Sequence, residues 1–147
     1  MLVIRPAAPQ DVPAVFAIER AVFGDPPYPD FFFRQAVDMW PEQLLLAETD
    51  GRVVGYILSC PAGQAGEAWI MSLGVLDSAR GQGTGKRLLI AALDVLKKRG
   101  CKTALLTAHP DNPAVGLYQR HGFQVDHLDP AYFGAGEPRL LMRCQLS

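Results

Sequence analysis

The sequence predicts one mixed α/β domain, and its patterning and composition carry that expectation. Apolar runs with the period of strands alternate with apolar stripes at helical spacing along the chain. No linker, repeat or low-complexity stretch interrupts them. The 147 residues, 49% hydrophobic, are enough for one sizeable core. A single domain over residues 1–147 is therefore expected.

The elements follow in order. Residues 2–5 read as a first strand. Asp11 then caps a helix with Val12, Val15, Phe16, Ile18 and Ala21 on or near one face. Residues 24–29 break it, since the prolines at 26, 27 and 29 cannot continue a helix. A short aromatic-rich helix is expected over 30–39. Residues 44–48 and 53–59 form strands joined across Asp50-Gly51, a strong hairpin signal. Residues 61–66 form a loop before a central strand over 68–76. After a Gly-rich turn, a helix over 86–99 places Leu88, Leu89, Ala92, Leu93 and Leu96 on one face. Lys97, Lys98 and Arg99 complement its dipole, and Gly100 closes it. A strand at 103–108, a helix at 113–121, and strands at 123–128 and 139–146 complete the chain.

Charge and cysteine usage narrow the class. A net charge of −1 and a pI near 6.3 argue against a nucleic-acid binder held by bulk electrostatics. Cys60, Cys101 and Cys144 are odd in number and widely spaced, without a partner at metal-ligand spacing. They read as reduced thiols, and no metal is expected. The N-terminal apolar run is too short for a signal peptide, and no stretch approaches a membrane span. A cytoplasmic protein, monomer or homodimer, without nucleic-acid or membrane partners is the expectation.

The most specific chemistry lies at Arg80-Gly-Gln-Gly-Thr-Gly85, between the central strand and the long helix. Glycines let backbone approach a ligand, and a helix N-terminus presents unpaired N–H groups with partial positive charge. Arg80, Lys86 and Arg87 add full charges, making a seat for phosphate. A Walker loop needs Gly at 80 and Ser or Thr at 87, where the chain has Arg80 and Arg87. The dinucleotide fingerprint needs a third Gly where the chain has Lys86 or Leu88.

Arg-Gly-x-Gly-x-Gly after a strand resembles the pyrophosphate loop of the GNAT acetyltransferase superfamily. A second stretch, Asn112-Pro-Ala-Val-Gly-Leu-Tyr118 through Gly122-Phe123, resembles that superfamily's Asn-x-x-Ala-x-x-x-Tyr-x-x-x-Gly-Phe signature. The resemblance spans nearly the whole chain. It implies the GNAT fold, a mixed central sheet of about six to seven strands flanked by about four helices, and acetyl-CoA as cofactor. It also implies that Arg80, Gly81, Gln82, Gly83, Thr84, Gly85 and Lys86 bind the pyrophosphate and Asn112 the pantetheine arm. Tyr118 becomes the acid for the departing thiolate, a role its chemistry suits, since a donor of pKa near 10 assists a thiol leaving group near 8.5. Residues Leu73, Gly74 and Val75 fall where the family's central strand bulges and frees a backbone N–H for the thioester carbonyl. Glu67 lies thirteen residues before Arg80, the spacing of the catalytic Glu in histone-type members.

Within the superfamily, Trp69-Ile-Met-Ser-Leu-Gly-Val-Leu and the 129–143 tail resemble protein N-terminal acetyltransferases, including the ribosomal-protein-alanine type. By that resemblance Tyr132 and Phe133 contact the acceptor, with Tyr28 and the Phe31-Phe32-Phe33 cluster as an opposite wall and Trp69 on the strand. At least one of those phenylalanines also reads as core. The chain departs from the subfamily where Thr107 and Trp69 replace its bases, and a lone His109 beside a proline reads as exposed. An α-amine of pKa near 8 is about a tenth neutral at pH 7, whereas a lysine amine near 10.4 needs more base assistance. The expected activity is acetyl transfer to a primary amine, preferentially a peptide N-terminus. A small-molecule amine acceptor and a non-catalytic acyl-CoA-binding domain are the alternatives.

Overall fold

The computed structural model describes residues 1–24 and 28–146. The expected break at Asp25, Pro26 and Pro27 lies outside the described residues. Seven strands form one mixed sheet: β1 (Leu2–Pro6), β2 (Leu44–Thr49), β3 (Arg52–Pro61), β4 (Glu67–Val75), β5 (Thr103–Ala108), β6 (Phe123–Asp129) and β7 (Arg139–Gln145), hydrogen-bonded in the order β1-β2-β3-β4-β5-β7-β6. Among the described residues the helices are α1 (Val12–Phe23), α2 (Asp30–Met39), α3 (Thr84–Lys98) and α4 (Ala114–Arg120), with two short 3₁₀ turns. The expected α/β class and element count are those observed. The contacts cluster into two compact units. One comprises Met1–Cys60 and Ser72–Val95, the other Pro61–Met71 and Leu96–Ser147.

In the first unit β1, β2 and β3 are antiparallel neighbours. The β2–β3 loop is the expected two-residue turn, Thr49 pairing with Arg52 across it. Asp50 and Gly51 both take positive φ, 51° and 79°, which the primed hairpin turn demands and which Asp and Gly tolerate. Val15, Ile18, Phe33, Leu46, Tyr56, Leu58, Leu88 and Leu89 are buried and form this unit's core. The strands extend one or two residues past their expected ends because ladder hydrogen bonds, unlike propensity, continue until the partner stops.

Asp11 does not cap α1. Its backbone is already helical (φ −83°, ψ −13°), continuing a 3₁₀ turn over Pro9–Asp11, and no side-chain bond reaches the first turn of α1. The carboxylate turns back instead. It accepts from the Ala8 N–H at 2.8 Å and from the two terminal guanidinium nitrogens of Arg5 at 2.8 and 3.0 Å. Arg5 also reaches Glu48, at 3.2 Å.

In the second unit β5, β7 and β6 are antiparallel, with β7, the last strand in sequence, lying between the other two. β4 and β5 are parallel, but their ladder holds only Glu67↔Thr103, Ala68↔Ala104 and Trp69↔Leu105. β5 continues to Ala108, still paired with β7. Ala104, Leu106, Tyr118, Phe123, Met142 and Cys144 are this unit's buried residues of note.

Candidate active site

The Gly-rich segment lies in the first unit. A 3₁₀ turn over Asp77–Ala79 ends β4's exit, and α3 starts at Thr84, two residues before the expected position. The Arg87 amide donates to Gly83 O at 3.0 Å, and the first amides of α3 precede any intrahelical partner, as at every helix N-terminus. Gly81 and Gly83 adopt φ of 78° and 76°, left-handed conformations that an L side chain strains to reach. Nothing lies within 4 Å of a Cβ built at either position, so this face of the loop is open to a ligand. A helix N-terminus beside an open glycine face fits the pyrophosphate of a coenzyme.

The side chains of the loop brace it. Thr84 is buried and its hydroxyl donates to Ala79 O at 3.2 Å, so toward a ligand it offers its backbone amide. Gln82 Nε2 donates to Ser78 O at 3.3 Å. Arg80 is half exposed, its Nε 3.2 Å from Asp77 Oδ1 and 3.4 Å from Val75 O. Arg87, expected to add charge to the seat, donates to Leu2 O at 3.1 Å because its position one turn into α3 faces β1. Lys86 is exposed. Leu73, Gly74 and Val75 end β4. Gly74 is required by packing: a Cβ there would stand 2.8 Å from Tyr56 Cε1.

The aromatic cluster of the first unit is continuous. Tyr28 lies 5.1 Å from Phe32 and 6.3 Å from Phe33 between ring centroids, Phe33 lies 5.4 Å from Tyr56, and Phe32 lies 6.4 Å from Trp40. Phe33 is fully buried and is the core member of the three phenylalanines. Phe31 is exposed, while Phe32 and Tyr28 are half-buried. At its base sits a residue the sequence reading missed. Glu19 is buried on α1, takes the Tyr56 hydroxyl on Oε1 and the Tyr28 N–H on Oε2, the latter at 2.9 Å. The signal was available, since Glu19 is seven residues after Val12 and four after Val15, a charge within the apolar stripe.

The other expected site residues lie in the second unit. Glu67 opens β4 and accepts from Arg143 Nη1 at 3.4 Å, its side chain one-fifth exposed (20%). Trp69 is half-buried at the last β4–β5 pair. Asn112 Oδ1 accepts the Ala114 N–H at 2.9 Å, bracing the start of α4, a bond that leaves its amide nitrogen uncommitted to this turn. Tyr118 on α4 is buried edge-on against Phe123 at 5.8 Å, and burial pushes its phenol up to about 12. Tyr132 and Phe133 pack edge to face at 4.8 Å on an exposed turn, with the Arg139 guanidinium 4.9 Å from the Phe133 ring centre. His109 is exposed, as expected, and its Nδ1 accepts the Asp111 amide at 3.1 Å. Thr107 is half-buried on β5. Cys60 and Cys144 are buried free thiols, pushed up by burial. Among the described residues no cluster of metal-ligating side chains occurs, and no helix is long and apolar enough to cross a membrane.

Residues 12–123 match the acetyltransferase (GNAT) family. The chain belongs to that family. It is an N-acetyltransferase, in line with the names of its relatives. An uncharacterized N-acetyltransferase of Methanocaldococcus jannaschii is 35% identical to it over 143 residues, which cover 96% of this chain and 90% of that protein. An N-alpha-acetyltransferase of Sulfurisphaera tokodaii is 29% identical, over 97% of this chain and 92% of its own. The acetyltransferase shares its fold with the crystal structure of Ard1 from Thermoplasma volcanium, at a TM-score of 0.91 and 23% identity, covering 99% of this chain and 98% of that one.

Proposed function

We propose that the enzyme transfers the acetyl group of acetyl-CoA to the α-amine of a peptide or protein N-terminus, by direct attack in a ternary complex. The observation that carries the donor half is the open loop at Gly81 and Gly83, which leads directly into the N-terminus of α3 at Thr84. The first amides of α3, with Arg80 and Lys86, hold the pyrophosphate, and the Asn112 side-chain nitrogen donates to the pantetheine arm. Bound acetyl-CoA supplies a thioester-activated acyl group. Backbone N–H groups at Leu73, Gly74 and Val75 are the candidates to face the thioester carbonyl.

Tyr118 serves as the acid. Its phenol, pushed up to about 12, stays protonated through neutral and mildly alkaline pH and donates to the departing sulfur. Glu67 is the candidate proton acceptor, and its replacement by glutamine tests that role. Tyr28, Phe32 and Trp69, with Tyr132 and Phe133, supply the apolar contacts for the acceptor's first residues. The likeness to an N-alpha-acetyltransferase along nearly the full chain supports a peptide acceptor, and the ready deprotonation of an α-amine suits a site of modest base strength.

The test is an acetyl-transfer screen, read by released thiol, over peptides with different first residues and over small-molecule amines. Preferential turnover of peptides is expected, and abolition of the signal when the peptide α-amine is blocked. Turnover of small amines alone would replace the acceptor assignment, and acetyl-CoA binding without turnover would make the chain a binding domain.

A further inference from the structure

We propose that Glu19 is a positioning residue for acceptor binding: its carboxylate fixes the backbone at Tyr28 and, through the Tyr56 and Ser72 hydroxyls, ties it to β3 and β4. The inference rests on the reading of Tyr28 and Phe32 as acceptor contacts.

The geometry is that of a two-armed clamp. One oxygen of Glu19 takes the Tyr56 hydroxyl and the other takes the Tyr28 amide, at 2.9 Å. The Tyr56 hydroxyl also lies 2.7 Å from Ser72 Oγ. Glu19 is 3% exposed and Tyr56 is fully buried, so water does not substitute for these partners. An acceptor-only carboxylate is the group that satisfies two converging donors at once. The Tyr56 phenol, raised by burial and by the Glu19 carboxylate, remains the donor.

The position of the Tyr28 backbone matters because its ring contacts both Phe32 and Phe33, and Phe33 in turn contacts Tyr56. Clamp and aromatic wall therefore close on each other at both ends. A shift of the Tyr28 backbone displaces the half-buried Tyr28 and Phe32 faces, while the fully buried Phe33 stays with the core.

Length and charge separate under substitution. Glu19→Gln keeps the length. Its carbonyl can accept the Tyr28 amide while its NH₂ donates to Tyr56 Oη, whose own proton turns to Ser72. Glu19→Asp keeps the charge but is one methylene short of spanning both donors. Glu19→Asp is expected to raise KM for an acceptor peptide about tenfold, leaving kcat and the KM for acetyl-CoA unchanged, and to speed hydrogen exchange at the Tyr28 amide about tenfold. Glu19→Gln is expected to restore wild-type KM and exchange.

The reverse pattern, glutamine inactive and aspartate active, would mean that the charge itself is needed and would overturn the positioning role. Unchanged acceptor KM with unchanged Tyr28 exchange in Glu19→Asp would overturn it too. If wild-type enzyme acetylates no α-amine, the acceptor reading fails, and the Tyr28 exchange rate alone decides the clamp. Should Glu19→Asp not fold, Tyr56→Phe removes one arm while keeping Glu19's length. The same slow-to-fast change at the Tyr28 amide is then expected, and no change overturns the proposal.

Discussion

The loop from Arg80 to Lys86 and the cluster around Glu19 and Tyr28 are built from opposite materials. The loop is contiguous, mostly exposed and made of backbone: its amides are aimed by two positive φ angles and by the start of α3. Its side chains turn aside onto Asp77, Ser78 and Ala79. The cluster draws on α1, α2, β3 and β4, and nearly every contact in it is a particular side-chain atom. A site made of amides tolerates exchange of side chains and fails when φ is disturbed. A site made of side chains fails when one atom is removed.

The widest departure expected on the side-chain side is at Tyr118. Tyr118→Phe keeps the ring against Phe123 and removes only the hydroxyl, so kcat should fall about a hundredfold while acetyl-CoA affinity holds. Stopped-flow thiol release with calorimetric binding separates the two, and an unchanged rate would sink the acid role. Because burial holds this phenol up to about 12, the wild-type rate should show no Tyr118-dependent decline between about pH 8 and 10.

On the backbone side, Gly81→Ala or Gly83→Ala forces an L residue to φ near 78° or 76° with no steric clash. Acetyl-CoA affinity should weaken about tenfold, whereas Gln82→Ala should leave it where it was. Equal effects at all three positions would erase the distinction between the two kinds of site.

Glu67→Gln comes next. If Glu67 accepts the amine proton, the pH–rate profile moves upward. An unaltered profile leaves it as the partner of Arg143. The smallest effect belongs to a contact outside either site. Hydrogen bonding from Arg5 holds Asp11 below its ordinary value of 3.8. A depressed carboxyl stabilises the fold above the unfolded value, and that contribution is lost as pH falls through the folded one. Asp11→Asn should lower the urea midpoint slightly at pH 7 and flatten its decline below about pH 4, the two proteins converging in acid.

The same contrast governs what the sequence revealed. The Gly-rich loop was legible because its residues are neighbours in the chain and glycine spacing reports backbone geometry. Asp50-Gly51 was legible for the same reason. Glu19 was legible only as a charge in an apolar stripe; its role was not, because that depends on Tyr56, 37 residues away, and on the Tyr28 amide. Asp11 was misplaced as a helix cap because Arg5 competes for it, a contact across six residues that capping preference does not weigh. Arg87 was assigned to the seat by proximity in sequence, while the turn of α3 carries it toward β1.

The placement of β7 has a consequence for how the chain is made. It is synthesised after β5 and β6, yet it lies between them and supplies ladder partners to both. Until residues 139–145 leave the ribosome, Thr103–Ala108 and Phe123–Asp129 each lack the ladder that β7 supplies. At that stage the edges of β5 and β6 that β7 covers stand open, the form of backbone most prone to pairing with other chains. Synthesis of residues 139–145 thus works as a closing step for these two strands, and a pause just ahead of it prolongs their exposure to misassembly.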